Sequence, residues 1–123
     1  MVENQKEKIG RLGEERANFY LKNKGYRIIE RNHWKPWGEL DIVALAQDRT
    51  LVFVEVKAIA GQGDITPEDN LTGAKLRKLK RAASLYANSH QKLLNDERGW
   101  RIDLVAINLF ENGSADIRHY ENI

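Results

Sequence analysis

Four charged residues interrupt two apolar runs near the middle of the chain. Gly38-Glu39-Leu40-Asp41-Ile42-Val43-Ala44-Leu45-Ala46 is followed, after Gln47-Asp48-Arg49-Thr50, by Leu51-Val52-Phe53-Val54-Glu55-Val56-Lys57. Charges inside apolar strands are costly to bury unless they are paired or bind an ion. Alternate residues of a strand share a face, so Glu39 lies with Asp41 and Glu55 with Lys57. An acid, a gap, and Glu-x-Lys on the next strand form a donor set for a divalent cation beside a phosphate. That chemistry points to phosphodiester hydrolysis.

The two runs read as a hairpin, and the hairpin makes a geometric demand. A simple four-residue loop at Gln47–Thr50 would set Asp41 opposite Val56 and leave Asp41 and Glu55 on opposite faces. Asp41 meets Glu55 or Lys57 only if the loop is odd in length or a bulge intervenes.

Other elements must hold these residues in place. A first helix is expected from about Gln5 to Lys24, stopped by Gly25 in the left-handed region. Ile9, Leu12, Gly13, Arg16, Ala17 and Tyr20 recur at helical spacing as its packed face. Glu14 shares a stripe with Gly10, Ala17 and Leu21, and small residues there would let the helix approach the sheet and aim Glu14 inward. Read alone, such a glutamate is more often a solvated helix charge. Glu15 falls nearer the outer boundary.

Tyr26–Arg31 reads as a first strand, followed by an irregular stretch, Asn32 to Trp37, in which Pro36 forbids helix. Trp34 and Trp37, among Arg31, His33 and Lys35, could stack on bases of a nucleic acid. The plainer reading has one tryptophan capping the core and the other covering a neighbouring strand. After Lys57 the run Ala58–Asn70 reads as a loop by composition. A second helix follows from Thr72 to about Asn88, packed through Leu76, Leu79, Ala83 and Tyr86. Lys75, Arg77, Lys78, Lys80 and Arg81 lie along it without an acid among them, either as a solvated face or as contacts to phosphates. Lys75 stands about 100° round from Leu76, at the edge of the packed face.

Trp100–Phe110 reads as a core strand, turned at Asn112-Gly113 into an edge strand, Ala115–Tyr120. Arg101 and Asp103 alternate on one face of it, as an internal ion pair or as hydrogen-bond anchors. The histidines (His33, His90, His119) show no ligand spacing.

At 123 residues the chain is expected to be a single domain, residues 1–123, with one sheet and helices packed on it. Hydrophobic residues at 41% and charged ones at 31% are ordinary for a water-soluble fold, and a net charge of +2 does not by itself demand a polyanion. The absence of cysteine excludes disulfides, thiolate metal sites and a cysteine nucleophile. No apolar run approaches a membrane span and the N-terminus is no signal peptide, so a cytoplasmic location without membrane contact is expected.

The order of helix, three strands, basic helix and two strands resembles the core of the PD-(D/E)xK nuclease superfamily. The resemblance is closer to the small YraN-like family of predicted endonucleases, and covers nearly the whole chain. It rests on Gly10-x-x-Gly13-Glu14-x-x-Ala17, Gly25-Tyr26, Asn32, Gly38-Glu39-Leu40-Asp41-Ile42-Val43-Ala44, Phe53-Val54-Glu55-Val56-Lys57, Lys75, and Arg101-x-Asp103-Leu104-Val105. Archaeal Holliday-junction resolvases share the plan. The resemblance implies an α/β, restriction-endonuclease-like fold with a mixed central sheet flanked by helices. It implies an endonuclease on DNA, with branched or junction DNA as one candidate substrate. Asp41, Glu55 and the Val56 carbonyl would bind Mg²⁺ or Mn²⁺, Lys57 would be the catalytic lysine and Glu14 the helix-borne acid. Arg31, Lys35, Lys75, Arg77, Lys78 and Arg81 are the candidate nucleic-acid contacts.

A junction-cutting enzyme would need two sites, which makes a homodimer compatible with the reading. Two departures stand out. Ala58 and Ile59 occupy the positions where the family carries an arginine, removing a phosphate contact, and Leu40 replaces the proline before the aspartate. The alternative is a non-catalytic nucleic-acid-binding or adaptor domain that keeps the fold, its site persisting as an Asp41–Lys57 ion pair.

Overall fold

The computed structural model describes residues 2–63 and 65–123. Helix α1 (Gln5–Asn23) leads into a meander of β1 (Arg27–Lys35), β2 (Gly38–Leu45) and β3 (Leu51–Ala60). A short 3₁₀ turn, Pro67–Asn70, precedes α2 (Gly73–Ser89), and β4 (Trp100–Leu109) and β5 (Ala115–Tyr120) complete the sheet. The five strands lie in chain order, antiparallel except for the parallel pair β3–β4, which α2 connects. The fold is therefore mixed α/β with helices on both faces, as expected. No helix among the described residues is long and apolar enough to cross a membrane.

Each helix covers one face. Ala17 and Leu21 of α1 pack with Ile42, Ala44, Val52, Val54, Val105 and Ile107. On the other face, Leu79, Ala83 and Tyr86 of α2 pack with Val43, Leu51, Phe53 and Ile102. The alternation of Val52 and Val54 with Leu51 and Phe53 along β3 is the period of two expected of a strand buried on both sides. Asn4 caps α1 by accepting the Glu7 N–H at 2.8 Å. Gly25 ends it at φ 89°, as expected, and Tyr26 N–H closes back on the Leu21 carbonyl at 3.0 Å. Arg16 is not part of the packed face. It is exposed, and its guanidinium donates to the Gly113 carbonyl.

Two strands run past their expected ends. The stretch from Asn32 to Lys35 is strand, because His33, Trp34 and Lys35 pair with Leu40, Glu39 and Gly38 across a tight turn at Pro36-Trp37. The run after Lys57 continues β3 to Ala60, because Lys57–Ala60 pair with Ala106–Leu109 of β4. Backbone pairing outweighed local composition in both places. The remaining part of that expected loop includes Asp64, which lies outside the described residues.

Candidate functional site

The hairpin meets its geometric condition. Ile42, Val43, Ala44 and Leu45 pair with Val54, Phe53, Val52 and Leu51. The same register closes through Ala46 and Thr50, leaving Gln47–Arg49 as an odd turn. Arg49 adopts φ 73°, and the Thr50 amide and hydroxyl donate to Asp48 Oδ1 at 3.0 and 2.7 Å. Carried one pair further, that register sets Asp41 opposite Glu55.

At that point the sheet forks. The β2–β3 ladder stops at Ile42 and Val54, whereas β1–β2 pairing continues to Gly38 and β3–β4 pairing to Ala60. Asp41 stands in the fork, and its Oδ2 accepts the Val56 N–H at 2.9 Å in place of a backbone partner. A residue's N–H and C=O leave a strand on the same side, so the Val56 carbonyl opens into the fork as well. On the β1 side, the pairs Arg31–Ile42 and His33–Leu40 bracket Asn32 opposite Asp41.

Helix α1 delivers Glu14 to this place through Gly13. A Cβ at Gly13 would lie 2.5 Å from the Ala58 Cβ, so only glycine lets the helix sit this close to β3. Gly10, the other candidate for close approach, faces open space. Glu14 is half-buried, not a solvated helix charge. Asn32, with its amide nitrogen toward Glu14, donates to both carboxylate oxygens at 3.0 and 3.1 Å. Burial and the nearby Asp41 raise the Glu14 pKa, and Asn32 and Arg31 partly offset them.

Asp41 is perturbed further. Burial first, and then the Glu55 carboxylate, push its pKa up to about 8, against the pull of the Val56 N–H. Lys57 Nζ lies 3.5 Å from Glu55 Oε1. Among the described residues Lys57 pairs with Glu55 and forms no ion pair with Asp41. Asp41 therefore adjoins Glu55 on one side and stands near Glu14 on the other, with Lys57 beside Glu55, although the three carboxylates do not bring ligand atoms within 4.8 Å of one another. Such a hard-oxygen donor set with a surplus of negative charge fits Mg²⁺ or Mn²⁺.

Beside the fork, Gly38, Glu39, Glu55, Lys57, Lys75 and Lys78 line a cleft of about 200 Å³. Lys75 leans to this edge of α2, and its Nζ donates to the Asn70 carbonyl at 3.0 Å. Arg77 and Arg81 do not line the cleft and are exposed on α2, while Arg31 is exposed on β1 near Glu14. Lys35 lies at the hairpin tip, beside a second cleft. Trp34 and Trp37 are 67% and 47% exposed, so neither caps the core.

Sequence reasoning missed two groups. Asn32 had no assigned role, although its type, an amide able to adopt φ 52°, is a signal for a special backbone position. His119 was set aside, yet its Nε2 lies 2.8 Å from Asp103 Oδ2 and its Nδ1 3.1 Å from the Tyr20 hydroxyl. Asp103 is fully buried and also accepts from Arg101 Nε at 2.9 Å and the Asn122 N–H at 3.0 Å. Asp103, His119 and Glu121 offer ligand atoms within 4.8 Å of one another. The guanidinium and the filled acceptors of Asp103 make that cluster a structural latch, not a cation site.

Comparison with known sequences places this geometry in a family. The profile described as "Uncharacterised protein family UPF0102" matches residues 13–107. Its similar relatives include a UPF0102 protein of Alkaliphilus oremlandii, 38% identical over 94% of this chain and 96% of its own length. Another from Syntrophomonas wolfei is 40% identical over 93% of this chain and 95% of its own. A third, from Moorella thermoacetica, is 41% identical over 80% and 78% respectively.

Proposed function

The chain belongs to the UPF0102 family, and from that premise and the forked sheet we propose that it is a metal-dependent endonuclease of the PD-(D/E)xK type, acting on DNA. The observation that carries the proposal is that Asp41, withdrawn from water at the fork, adjoins Glu55 and has Glu14 nearby, while Lys57 pairs with Glu55 and not with Asp41. Two like charges about 4 Å apart repel by about 4 kcal/mol at an effective dielectric near 20. One divalent ion would balance the two charges that Lys57 leaves.

Asp41, Glu55 and the Val56 carbonyl would hold Mg²⁺ or Mn²⁺. When bound, the ion would lower the pKa of a water and polarise the scissile phosphate. Asn32 fixes the Glu14 carboxylate by donating to both of its oxygens, whose remaining lone pairs would be free to orient groups bound at the fork. Lys57 lies on the Glu55 face, where its ammonium can orient the attacking water or stabilise charge that appears on the phosphate in the transition state. Lys75 and Lys78 extend the positive lining toward the neighbouring phosphates, and Arg77 and Arg81 supply further backbone contacts.

Lys57→Ala tests the reading. DNA cleavage with Mn²⁺ is expected to vanish, with DNA binding nearly unchanged and stability within about 1 kcal/mol, since Lys57 acts on transition-state charge. Cleavage that survives the substitution sinks the mechanism. Calorimetry of Mn²⁺ on wild type and Asp41→Asn separately checks where the ion binds.

A further inference from the structure

A second cleft, of about 370 Å³, lies between the β1–β2 hairpin tip and α2. That volume falls within the range of small-molecule pockets, about 300–1,000 Å³. Its inner wall is fixed. The His90 ring stacks on Tyr86 with centroids 3.9 Å apart and planes 8° from parallel. The Tyr86 hydroxyl donates to Glu30 Oε1 at 2.9 Å, and His33 Nδ1 lies 2.8 Å from the other Glu30 oxygen. The same cleft is lined by the turn residue Trp37, which is 47% exposed, and by exposed Lys35. A tryptophan recruited only for packing would bury its ring.

This cleft and the cleft at Glu55 share Gly38 as a wall. At Gly38 the hairpin touches α2, where a Cβ would lie 3.2 Å from the Ala82 Cβ. The two clefts therefore lie on either side of this contact, along one seam between the hairpin and α2, with the Glu55 cleft on one side and the aromatic cleft on the other. Lys57, Lys75 and Lys78 line the first and Lys35 the second. A cleft lined by an exposed tryptophan with a lysine two residues before it matches a nucleobase and its phosphate. Bases inside a duplex are stacked on their neighbours and do not present a face to such a cleft.

Building on the nuclease reading, we propose that the aromatic cleft takes an unpaired nucleotide of the substrate strand, its base stacking on Trp37 and its phosphate meeting Lys35. The substrate class is then DNA with a single-stranded segment, not continuous duplex.

The test uses the full chain without divalent metal, so that binding is read apart from cleavage. Fluorescence anisotropy follows labelled oligothymidylate and a labelled hairpin duplex. Trp37→Ala is expected to weaken oligothymidylate binding about tenfold and leave duplex binding unchanged. Trp34→Ala, at the neighbouring exposed tryptophan, serves as the comparison and is expected to change binding far less. Lys35→Gln gives a smaller loss with a shallower salt dependence. Equal oligothymidylate affinity of wild type and Trp37→Ala overturns the proposal, as does an equal loss for both DNAs. A Trp37-dependent preference for the single strand supports it even if no DNA is cut with Mn²⁺, an outcome that would remove the nuclease reading alone. Retention of neither DNA overturns it.

Discussion

Asp41 and Asp103 are both aspartates withdrawn from water on interior strands of one sheet, and their surroundings are opposite. Asp103 is surrounded by donors: Arg101, His119 and the Asn122 N–H all reach it. Burial raises its pKa, but those three partners outweigh burial and hold the carboxyl below the usual range. Asp41 is less buried, accepts one N–H, and faces two other acids. Its pKa moves the other way. Depth alone therefore does not mark the candidate site; the lack of counter-charge around a withdrawn acid does. One aspartate holds the fold together, and the other holds a charge that the fold leaves unbalanced.

The largest effect expected from this contrast is on Asp103. Asp103→Ala leaves Arg101 and His119 without their shared acceptor, and should lower stability by about 3–5 kcal/mol, a large share of the 5–15 kcal/mol typical of a domain. Chemical denaturation reads this as a shifted midpoint. A loss below about 1 kcal/mol would put Asp103 in the same class as a surface charge and end the comparison.

A smaller effect, of opposite sign, is expected at Asp41 in the metal-free protein. Its folded pKa is raised from the ordinary 3.8 of an aspartate to about 8, so between those values the folded chain holds a proton that the unfolded chain has released. Stability is therefore fully present below about pH 4 and falls as pH rises toward 8, by about 2–4 kcal/mol after allowance for partial exposure. Asp41→Asn should flatten that decline in thermal melts, and Mn²⁺ should reverse it. A melting temperature that climbs between pH 5 and 8 without metal would contradict the raised pKa. Glu68 provides the reverse case within the same molecule. Arg118 holds it at about 2, so its contribution is lost only as pH falls below 4.5.

The smallest effect sharpens the contrast by moving only one of the two regions. Gly13→Ala must push α1 off Ala58, costing about 1–3 kcal/mol. Because the displacement carries Glu14 with it, Mn²⁺ affinity should fall as well. Gly10→Ala, which meets nothing within 4 Å, should instead add up to about 1 kcal/mol by helix propensity. Equal behaviour of the two variants would mean that the close approach at Gly13 does not position Glu14.

The types and spacing of Asp41, Glu55 and Lys57 were legible because charge inside an apolar strand is conspicuous. Even the odd turn could be stated beforehand as a condition, since the faces of a hairpin follow from residue counting. Asn32 was not legible as a partner of Glu14. Its place depends on a register shift between Ile28 and Glu30 and on a positive φ, neither of which the local sequence displays. The ends of β1 and β3 were misplaced for a related reason. Pro36, Gly61 and Gly63 suggested loop, while the strands that extend through Lys35 and Ala60 are held by partners elsewhere in the chain. The Asp103–His119 contact joins residues that only the β4–β5 pairing brings together.

The one parallel pair in the sheet also sets an order of events during synthesis. Helix α1 and the β1–β2–β3 meander join neighbouring segments, so Glu14, Asn32, Asp41, Glu55 and Lys57 can assemble as soon as residue 60 is available. Strand β4 begins only at Trp100, after the whole crossover through α2. Until it arrives, the outer edge of β3 presents Leu51–Val54 with unpaired backbone groups, the kind of edge that recruits other chains. The segments that form the charged fork are thus all synthesised before the strand that pairs the outer edge of β3, and that edge waits for the length of one helix and its connections. A ribosome pausing within α2 would lengthen that exposure, whereas one pausing after β4 would not.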